Sequence, residues 1–190
     1  MSRQFKPCVR PEEYLALERK ADYRSEYLHG EIFAMTGASR KHNLISGNIF
    51  AGLHRQLRDK SYEAYQSEMR VKVAASGLYT YPDVVVVCGE PQFEDDSLDT
   101  LLNPTVLFEV LSKTTERYDR IAKSGYYRAL DSLAEHLLVA QDEIRVEQYV
   151  KQVDGQWALT EVGSIEGTVD LQSIGCSLAV GEIYDKVPRN

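Results

Sequence analysis

The spacing of apolar residues along the chain predicts three helices. Apolar side chains recur at helical intervals from Ile45 to Leu57, and Ser39 is suited to cap the helix that they predict over residues 40–57. Pro11 and the two acids after it suit the first turn of a short helix that ends near residue 18. A further helix is predicted over residues 116–130.

The remaining periodic segments predict strands. Residues 24–35 read as a hairpin that turns at His29-Gly30, where glycine supplies a positive φ. Residues 67–73 alternate between apolar and polar, as a half-buried strand does. Two fully apolar runs, 81–88 and 106–111, are typical of central strands, and an acidic loop over 90–104 separates them. Three more strands are predicted near 136–140, 144–150 and 157–162. The order favours an α+β (mixed α/β) domain with one central mixed β-sheet flanked by helices, spanning residues 1–190.

Composition and charge narrow the class of protein. The chain has 190 residues, 43% of them hydrophobic and 27% charged, which is typical of a globular domain. No apolar run approaches the roughly 20 residues that cross a bilayer, and no secretory leader is evident. Three widely spaced cysteines suggest neither a disulfide framework nor a zinc site. We therefore expect a cytoplasmic protein without membrane contact.

The net charge of −7 opposes a protein that coats nucleic acid without discrimination, because phosphate binding needs clustered Lys and Arg. It does not exclude a nuclease, since an acidic metal site carries negative charge until its metal binds.

Two acids interrupt the apolar strands. Asp83 begins the run Pro82-Asp83-Val84-Val85-Val86-Val87, and Glu109 interrupts Val106-Leu107-Phe108-Glu109-Val110-Leu111. A buried carboxylate is costly unless it has a partner, a proton or a metal. Two such acids on neighbouring strands can share one hard cation. The alternative is that each acid lies at a strand end in water or pairs with an arginine.

These residues carry a resemblance to a known family. Pro82-Asp83 followed by Glu109-Val110-Leu111 resembles the PD-(D/E)XK pattern of restriction-endonuclease-like nucleases, and more narrowly the chain resembles the Uma2 family. The matching segments occur in order between about residues 10 and 185. They are Glu26-Tyr27-Leu28-His29-Gly30-Glu31, Ser39 with His42, Tyr81-Pro82-Asp83-Val84, Glu109-Val110-Leu111-Ser112, and Asp119 with Lys123 and Tyr127.

The resemblance implies a restriction-endonuclease-like fold and a set of roles. Asp83, Glu109 and the backbone carbonyl of Val110 would hold Mg²⁺ or Mn²⁺, with Glu31 as a further catalytic acid. The implied partner is DNA. The implied assembly is a homodimer, because nucleases of this type often cut both strands as dimers.

One position departs from the broad pattern, because Leu111 stands where the motif has lysine. Lys123 is the candidate replacement. Glu109 lies about 10 Å back from the predicted strand end, and Lys123 lies about 12 Å into the following helix. A helix folded back over its strand brings Lys123 level with Glu109, and Asp119, one turn earlier, can pair with it. The alternative is a solvated surface lysine.

Several other residues are weaker candidates for the site. His42 is either a phosphate or metal contact or a histidine satisfied in the core or at its helix end. Tyr127 is expected to line the cleft. The predicted helix is the most basic stretch near the site, and we expect a DNA backbone to lie along it, contacted by Arg117 and Arg120. Its basic residues are Lys113, Arg117, Arg120, Lys123 and Arg128, against the acids Glu116 and Asp119.

The sequence thus favours a metal-dependent endonuclease that hydrolyses DNA phosphodiester bonds. Two alternatives stay open at this point. One is a non-catalytic binding or assembly module that keeps the fold, which the net charge and the missing motif lysine favour. The other is a metal hydrolase that acts on a small phosphodiester.

Overall fold

The computed structural model of the chain describes residues 8–112 and 116–188, and its elements follow one another in a mixed order. The helices are α1 (Pro11–Glu18), α2 (Arg40–Leu57), α3 (Glu116–Tyr118), α4 (Ser124–Tyr127) and α5 (Val180–Ile183), with a π-helical turn, Asp119–Lys123, between α3 and α4. The strands are β1 (Ser25–Leu28), β2 (Glu31–Ala34), β3 (Tyr62–Gln66), β4 (Arg70–Val73), β5 (Leu78–Thr80), β6 (Val84–Cys88), β7 (Thr100–Leu101), β8 (Val106–Leu111), β9 (Glu135–Ala140), β10 (Val146–Lys151), β11 (Trp157–Val162), β12 (Thr168–Leu171) and β13 (Cys176–Ala179).

A six-stranded mixed sheet forms the centre of the protein. Its strand order is β11-β10-β9-β8-β6-β3. Strands β8 and β9 are parallel, and the other neighbours are antiparallel. A second sheet has five strands in the order β2-β1-β5-β4-β7, and β12 pairs with β13. The five-stranded sheet packs against the central one, because Val71 and Leu78 share a buried cluster with Val85 and Leu107. The fold class predicted from the sequence is confirmed, as mixed sheets with few helices.

The predicted central mixed sheet is present, and the structure adds a five-stranded sheet that the sequence did not predict. That sheet is built from short strands, which carry little periodic signal. Strands β5 and β7 have three and two residues. The strand predicted from residue 67 begins only at Arg70, since Ser67 lies in a turn closed by a hydrogen bond from the Met69 N–H to the Gln66 carbonyl.

Both faces of the central strands are covered, as their valine-rich sequences predicted. On one face, α2 packs its stripe against Val84, Val106 and neighbouring side chains. On the other face, Tyr127 and Leu130 pack against Val85 and Leu107. A polar side chain on β6 or β8 therefore has to find its partner inside the protein or at the end of the sheet.

Local signals in the sequence set several element ends. The Ser39 hydroxyl accepts a hydrogen bond from the His42 N–H at 3.1 Å and caps α2 as predicted. The hairpin between β1 and β2 turns at His29 and Gly30, whose φ angles are 50° and 87°. Over residues 8–112 and 116–188, no helix has the length and apolarity that a membrane span needs.

Two glycines of α2 give a matched test of its packing. A methyl group on Gly52 would lie 2.8 Å from Cδ2 of Leu178 on β13, whereas one on Gly47 would meet no atom within 4 Å. We expect Gly47→Ala to raise the free energy of unfolding by about 0.5–1 kcal/mol, the usual gain in a helix. Gly52→Ala should lower it by about 1 kcal/mol, because overpacking a core costs roughly 1–3 kcal/mol. Urea denaturation measures both, and equal stabilisation by the two substitutions would contradict close α2–β13 packing.

Candidate active site

Asp83, directly before β6, faces Glu109 within the neighbouring central strand β8. Val84 of β6 pairs with Phe108 of β8, and the Asp83 N–H donates to the Phe108 carbonyl at 3.0 Å. The next pair in this antiparallel register is Asp83 with Glu109. Directly opposite residues point to the same face, and both side chains line one cleft of about 920 Å³.

Two donors hold the Asp83 carboxylate in place. Its Oδ2 accepts the backbone N–H of Val110 at 2.7 Å, and Nε2 of His42 lies 3.2 Å from the same oxygen. His42 comes from the first turn of α2, so the Ser39 cap also fixes the imidazole. The structure therefore places His42 against Asp83, as a group that orients the acid.

Lys123 lies in the middle of three buried carboxylates. Its Nζ is 2.7 Å from Oε1 of Glu26, 3.2 Å from Oε1 of Glu109 and 3.5 Å from Oδ1 of Asp119. The lysine and the three acids are each at most 7% exposed. The π-helical turn carries both Asp119 and Lys123, and it folds back over β8 as the distance estimate from the sequence predicted.

Tyr127 supports Glu109 from beneath. It is fully buried, and its hydroxyl donates to Oε1 of Glu109 at 2.5 Å. It is absent from the described cleft walls, so the expectation that it lines the cleft was wrong. The tyrosine instead fixes the carboxylate from the core side, where its ring packs with Val85 and Leu107.

Burial and neighbouring charges shift the pKa values of Glu109 and Lys123. Burial, together with the charges of Asp119 and Asp83, raises the pKa of Glu109 to about 8, against the opposing effect of Lys123. Burial alone would lower the pKa of Lys123, but Glu109, Tyr127, Glu26 and Asp119 outweigh it and raise that pKa well above its ordinary value. Lys123 is therefore an ammonium at neutral pH, not a neutral amine.

Glu26 is the site residue that the sequence did not single out. It lies on β1, and its Oε1 also accepts the Thr80 hydroxyl at 2.5 Å. The predicted acid, Glu31, is exposed at the start of β2 and lies outside the described lining of the cleft. The two belong to the same hairpin. Ser25, Glu26 and Tyr27 are all buried, so both faces of β1 are covered, and no signal in the local sequence marked Glu26.

Of the two arginines predicted to contact DNA, neither is positioned at the cleft. Arg120 is bonded to Glu147 and, at 2.9 Å, to Glu116, so its guanidinium is already engaged. Arg117 is exposed on α3. Neither is among the described residues that line the cleft, and Lys113 lies outside the described residues. The predicted contacts of Arg117 and Arg120 with substrate therefore have no support in this geometry.

Comparisons with known proteins match both the sequence and the fold. The model of the Uma2 family, described as "Putative restriction endonuclease", matches residues 11–181. This chain belongs to the Uma2 family. Two relatives come from Synechocystis sp. (strain ATCC 27184 / PCC 6803 / Kazusa). The uncharacterized protein sll1609 is 42% identical over 150 residues, 79% of this chain and 85% of that protein. The uncharacterized protein slr1290 is 34% identical over 178 residues, 94% and 92% of the two chains.

A solved structure shares the fold of this Uma2 chain. The crystal structure of a putative nuclease belonging to DUF820 from Anabaena variabilis ATCC 29413 superposes with a TM-score of 0.73 and covers 93% of this chain and 98% of that one. At 17% sequence identity the likeness shows the fold alone. The fold is that of restriction-endonuclease-like nucleases, and membership of a family described as "Putative restriction endonuclease" supports a nuclease activity.

The donor atoms of the Uma2 site fit a hard divalent cation. Among residues 8–112 and 116–188, no set of three or more His, Cys, Asp or Glu side chains is arranged to hold a metal alone, because Glu26 and Asp119 turn to Lys123. Mg²⁺ needs only one or two carboxylates besides waters. Asp83 and Glu109 provide two. The Val110 carbonyl points to the same side of β8 as the N–H that reaches Asp83.

The buried acid makes the stability of the metal-free Uma2 protein depend on pH. The pKa of Glu109 is raised from 4.5 to about 8 in the folded state. The folded protein thus binds the Glu109 proton more tightly than the unfolded chain does. This proton binding stabilises the folded state at low pH, and the stabilisation is lost as pH rises from about 4.5 to about 8. Relative to the matched variant Glu109→Gln, the wild type denatured in EDTA should lose on the order of a few kcal/mol across this window. The comparison removes the titrations that both proteins share, such as that of buried His136, whose lowered pKa of about 3 makes stability rise with pH up to about 6.5. Parallel pH profiles for the two proteins would contradict the buried acid.

Proposed function

We propose that this Uma2 protein is a metal-dependent endonuclease that hydrolyses phosphodiester bonds of DNA, with Mg²⁺ or Mn²⁺ held by Asp83, Glu109 and the Val110 carbonyl. The observation that carries the proposal is the pairing of two carboxylates at strands β6 and β8 with one buried ammonium beside them. Family membership and fold support nuclease chemistry independently of that geometry.

The hydrogen bonds of the two acids leave one oxygen of each for a ligand. The described bonds to Asp83 fall on Oδ2, from His42 and Val110. Those to Glu109 fall on Oε1, from Lys123 and Tyr127. Each side chain is thus fixed by donors on one oxygen, and the other, Oδ1 of Asp83 or Oε2 of Glu109, would be open to a cation. A cation bound there would displace the proton that Glu109 holds at neutral pH in the metal-free protein. Metal bound there would neutralise the scissile phosphate and lower the pKa of a coordinated water.

Lys123 supplies fixed positive charge next to the reacting phosphate. Its raised pKa keeps it protonated, so it acts as a hydrogen-bond donor and charge stabiliser, not as the base that deprotonates water. Glu26 and Asp119 hold the ammonium beside Glu109, and Thr80 in turn fixes Glu26. In this way Lys123 takes the place of the motif lysine, whose position is filled by the buried side chain of Leu111.

Cleavage by variants of the site tests the proposal. With Mg²⁺ or Mn²⁺, the wild-type protein should cut plasmid or single-stranded DNA, and EDTA should stop it. Asp83→Asn and Glu109→Gln should abolish cleavage with the fold kept, because each removes a ligand charge. Lys123→Met should retain metal binding but slow single-turnover cleavage by about two to four orders of magnitude, the usual loss for one such group.

A double variant is the matched control. Leu111→Lys combined with Lys123→Met should recover part of the rate, since it returns the lysine to the commoner position. Metal binding is followed separately, by the rise in melting temperature on adding Mg²⁺, which Asp83→Asn should lose. Wild-type rates in Lys123→Met, or metal-dependent cleavage that persists in Asp83→Asn, would refute these roles.

A further inference from the structure

Two aromatic side chains are exposed in the cleft near Lys123. Phe33 on β2 is 46% exposed and Tyr118 on α3 is 37% exposed, and both line the cleft. Phe33 lies directly opposite Glu26 in the β1–β2 register, so their Cβ atoms are about 5 Å apart on one face. The Tyr118 ring centroid is 5.9 Å from Nζ of Lys123. Both rings therefore lie beside the Glu26–Lys123 pair.

Packing within the protein does not account for Phe33. It belongs to none of the three apolar clusters found among the described residues. The residues that follow it, Ala34 to Ala38, also line the cleft and carry no charge. This wall is thus apolar and open at the place where a substrate phosphate would reach Lys123.

The charges of the cleft do not suit a long duplex backbone. Its described acidic lining residues outnumber the basic ones, Arg24 and Lys123; the acids are Glu26, Asp83, Glu109, Asp119 and Asp142. Lys123 is held by three of these acids, and Arg24 bonds to the Ser67 carbonyl and pairs with Glu68 at 3.3 Å. Duplex binding relies on many phosphate contacts from Lys and Arg. Stacking of unpaired bases on aromatic rings supplies affinity without them.

We propose that the site engages nucleic acid at an unpaired nucleotide, whose base stacks on Phe33 beside Tyr118 while its phosphate lies at Lys123. The inference rests on the proposed function and adds a substrate class to it: single-stranded segments, flaps or ends in preference to continuous duplex. Phe33 is then a specificity-determining residue. Its ring fixes the base beside the Glu26–Lys123 pair.

This inference is tested by measuring binding separately from turnover. Fluorescence anisotropy with Ca²⁺ in place of Mg²⁺ compares one labelled oligonucleotide as a single strand, as a duplex and with abasic sites. The single strand should bind at least tenfold more tightly than the duplex. Phe33→Ala should weaken single-strand binding by about tenfold to a hundredfold, the range for losing one stacked base. Phe33→Trp should retain it, and the abasic strand should bind wild type and Phe33→Ala alike.

Ile32→Ala is the control, because Ile32 is also exposed on β2 but points to the opposite face. It should bind all three oligonucleotides as wild type does. Equal or tighter duplex binding, or the same affinity in Phe33→Ala and Ile32→Ala, would overturn the inference even if the protein cleaves DNA. A Phe33-dependent preference for single strands without cleavage would sustain it and refute the endonuclease proposal instead.

Discussion

The buried ammonium of Lys123 is the interaction on which the rest of the site depends. Its three carboxylate neighbours come from different parts of the fold: Glu26 from the five-stranded sheet, Glu109 from the central sheet and Asp119 from the π-helical turn. A charge taken out of water is costly unless good partners surround it. The lysine therefore joins two sheets and a helical segment at one point, and that point is the wall of the cleft.

The same cluster is left short of positive charge. Four acids, Glu26, Asp83, Glu109 and Asp119, share a single lysine, and the proximity of Asp83 and Asp119 helps burial to raise the pKa of Glu109 to about 8. The metal proposed above, bound between Asp83 and Glu109, would relieve that repulsion. We infer that the repulsion among these acids in the metal-free protein is the driving force for metal binding.

The π-helical turn explains how one short segment both supplies residues to the cleft and pairs with the central sheet. A π turn is rare and recurs at functional sites. Here it carries Asp119 and Lys123 into the cleft while Arg120 points outward to Glu147 on β10. One side of the segment is therefore part of the site, and the other is fastened to the sheet by ion pairs. The predicted basic surface for DNA on this segment is, at Arg120, a structural contact instead.

Much of this arrangement could be read from the sequence, and the rest could not for physical reasons. Acids inside apolar strands are conspicuous, so Asp83 and Glu109 could be chosen, and simple rise-per-residue distances were enough to bring Lys123 to Glu109. Glu26 was passed over because an acid in a short strand looks like any solvent-facing residue. Only the pairing of β1 with β5, which aligns it with Thr80, turns it inward. The second sheet likewise forms through tertiary strand pairing, because its two- and three-residue strands are too short to show a periodic pattern in the sequence.

The location of a bound metal tests the central claim most directly. Anomalous diffraction from crystals grown with Mn²⁺ should show one strong peak between the carboxylates of Asp83 and Glu109, within about 2.0–2.3 Å of an oxygen of each and of the Val110 carbonyl. Lys123 should stay bonded to Glu26 in the same map. A peak elsewhere in the cleft, or no peak at Mn²⁺ concentrations that support cleavage, would contradict the account.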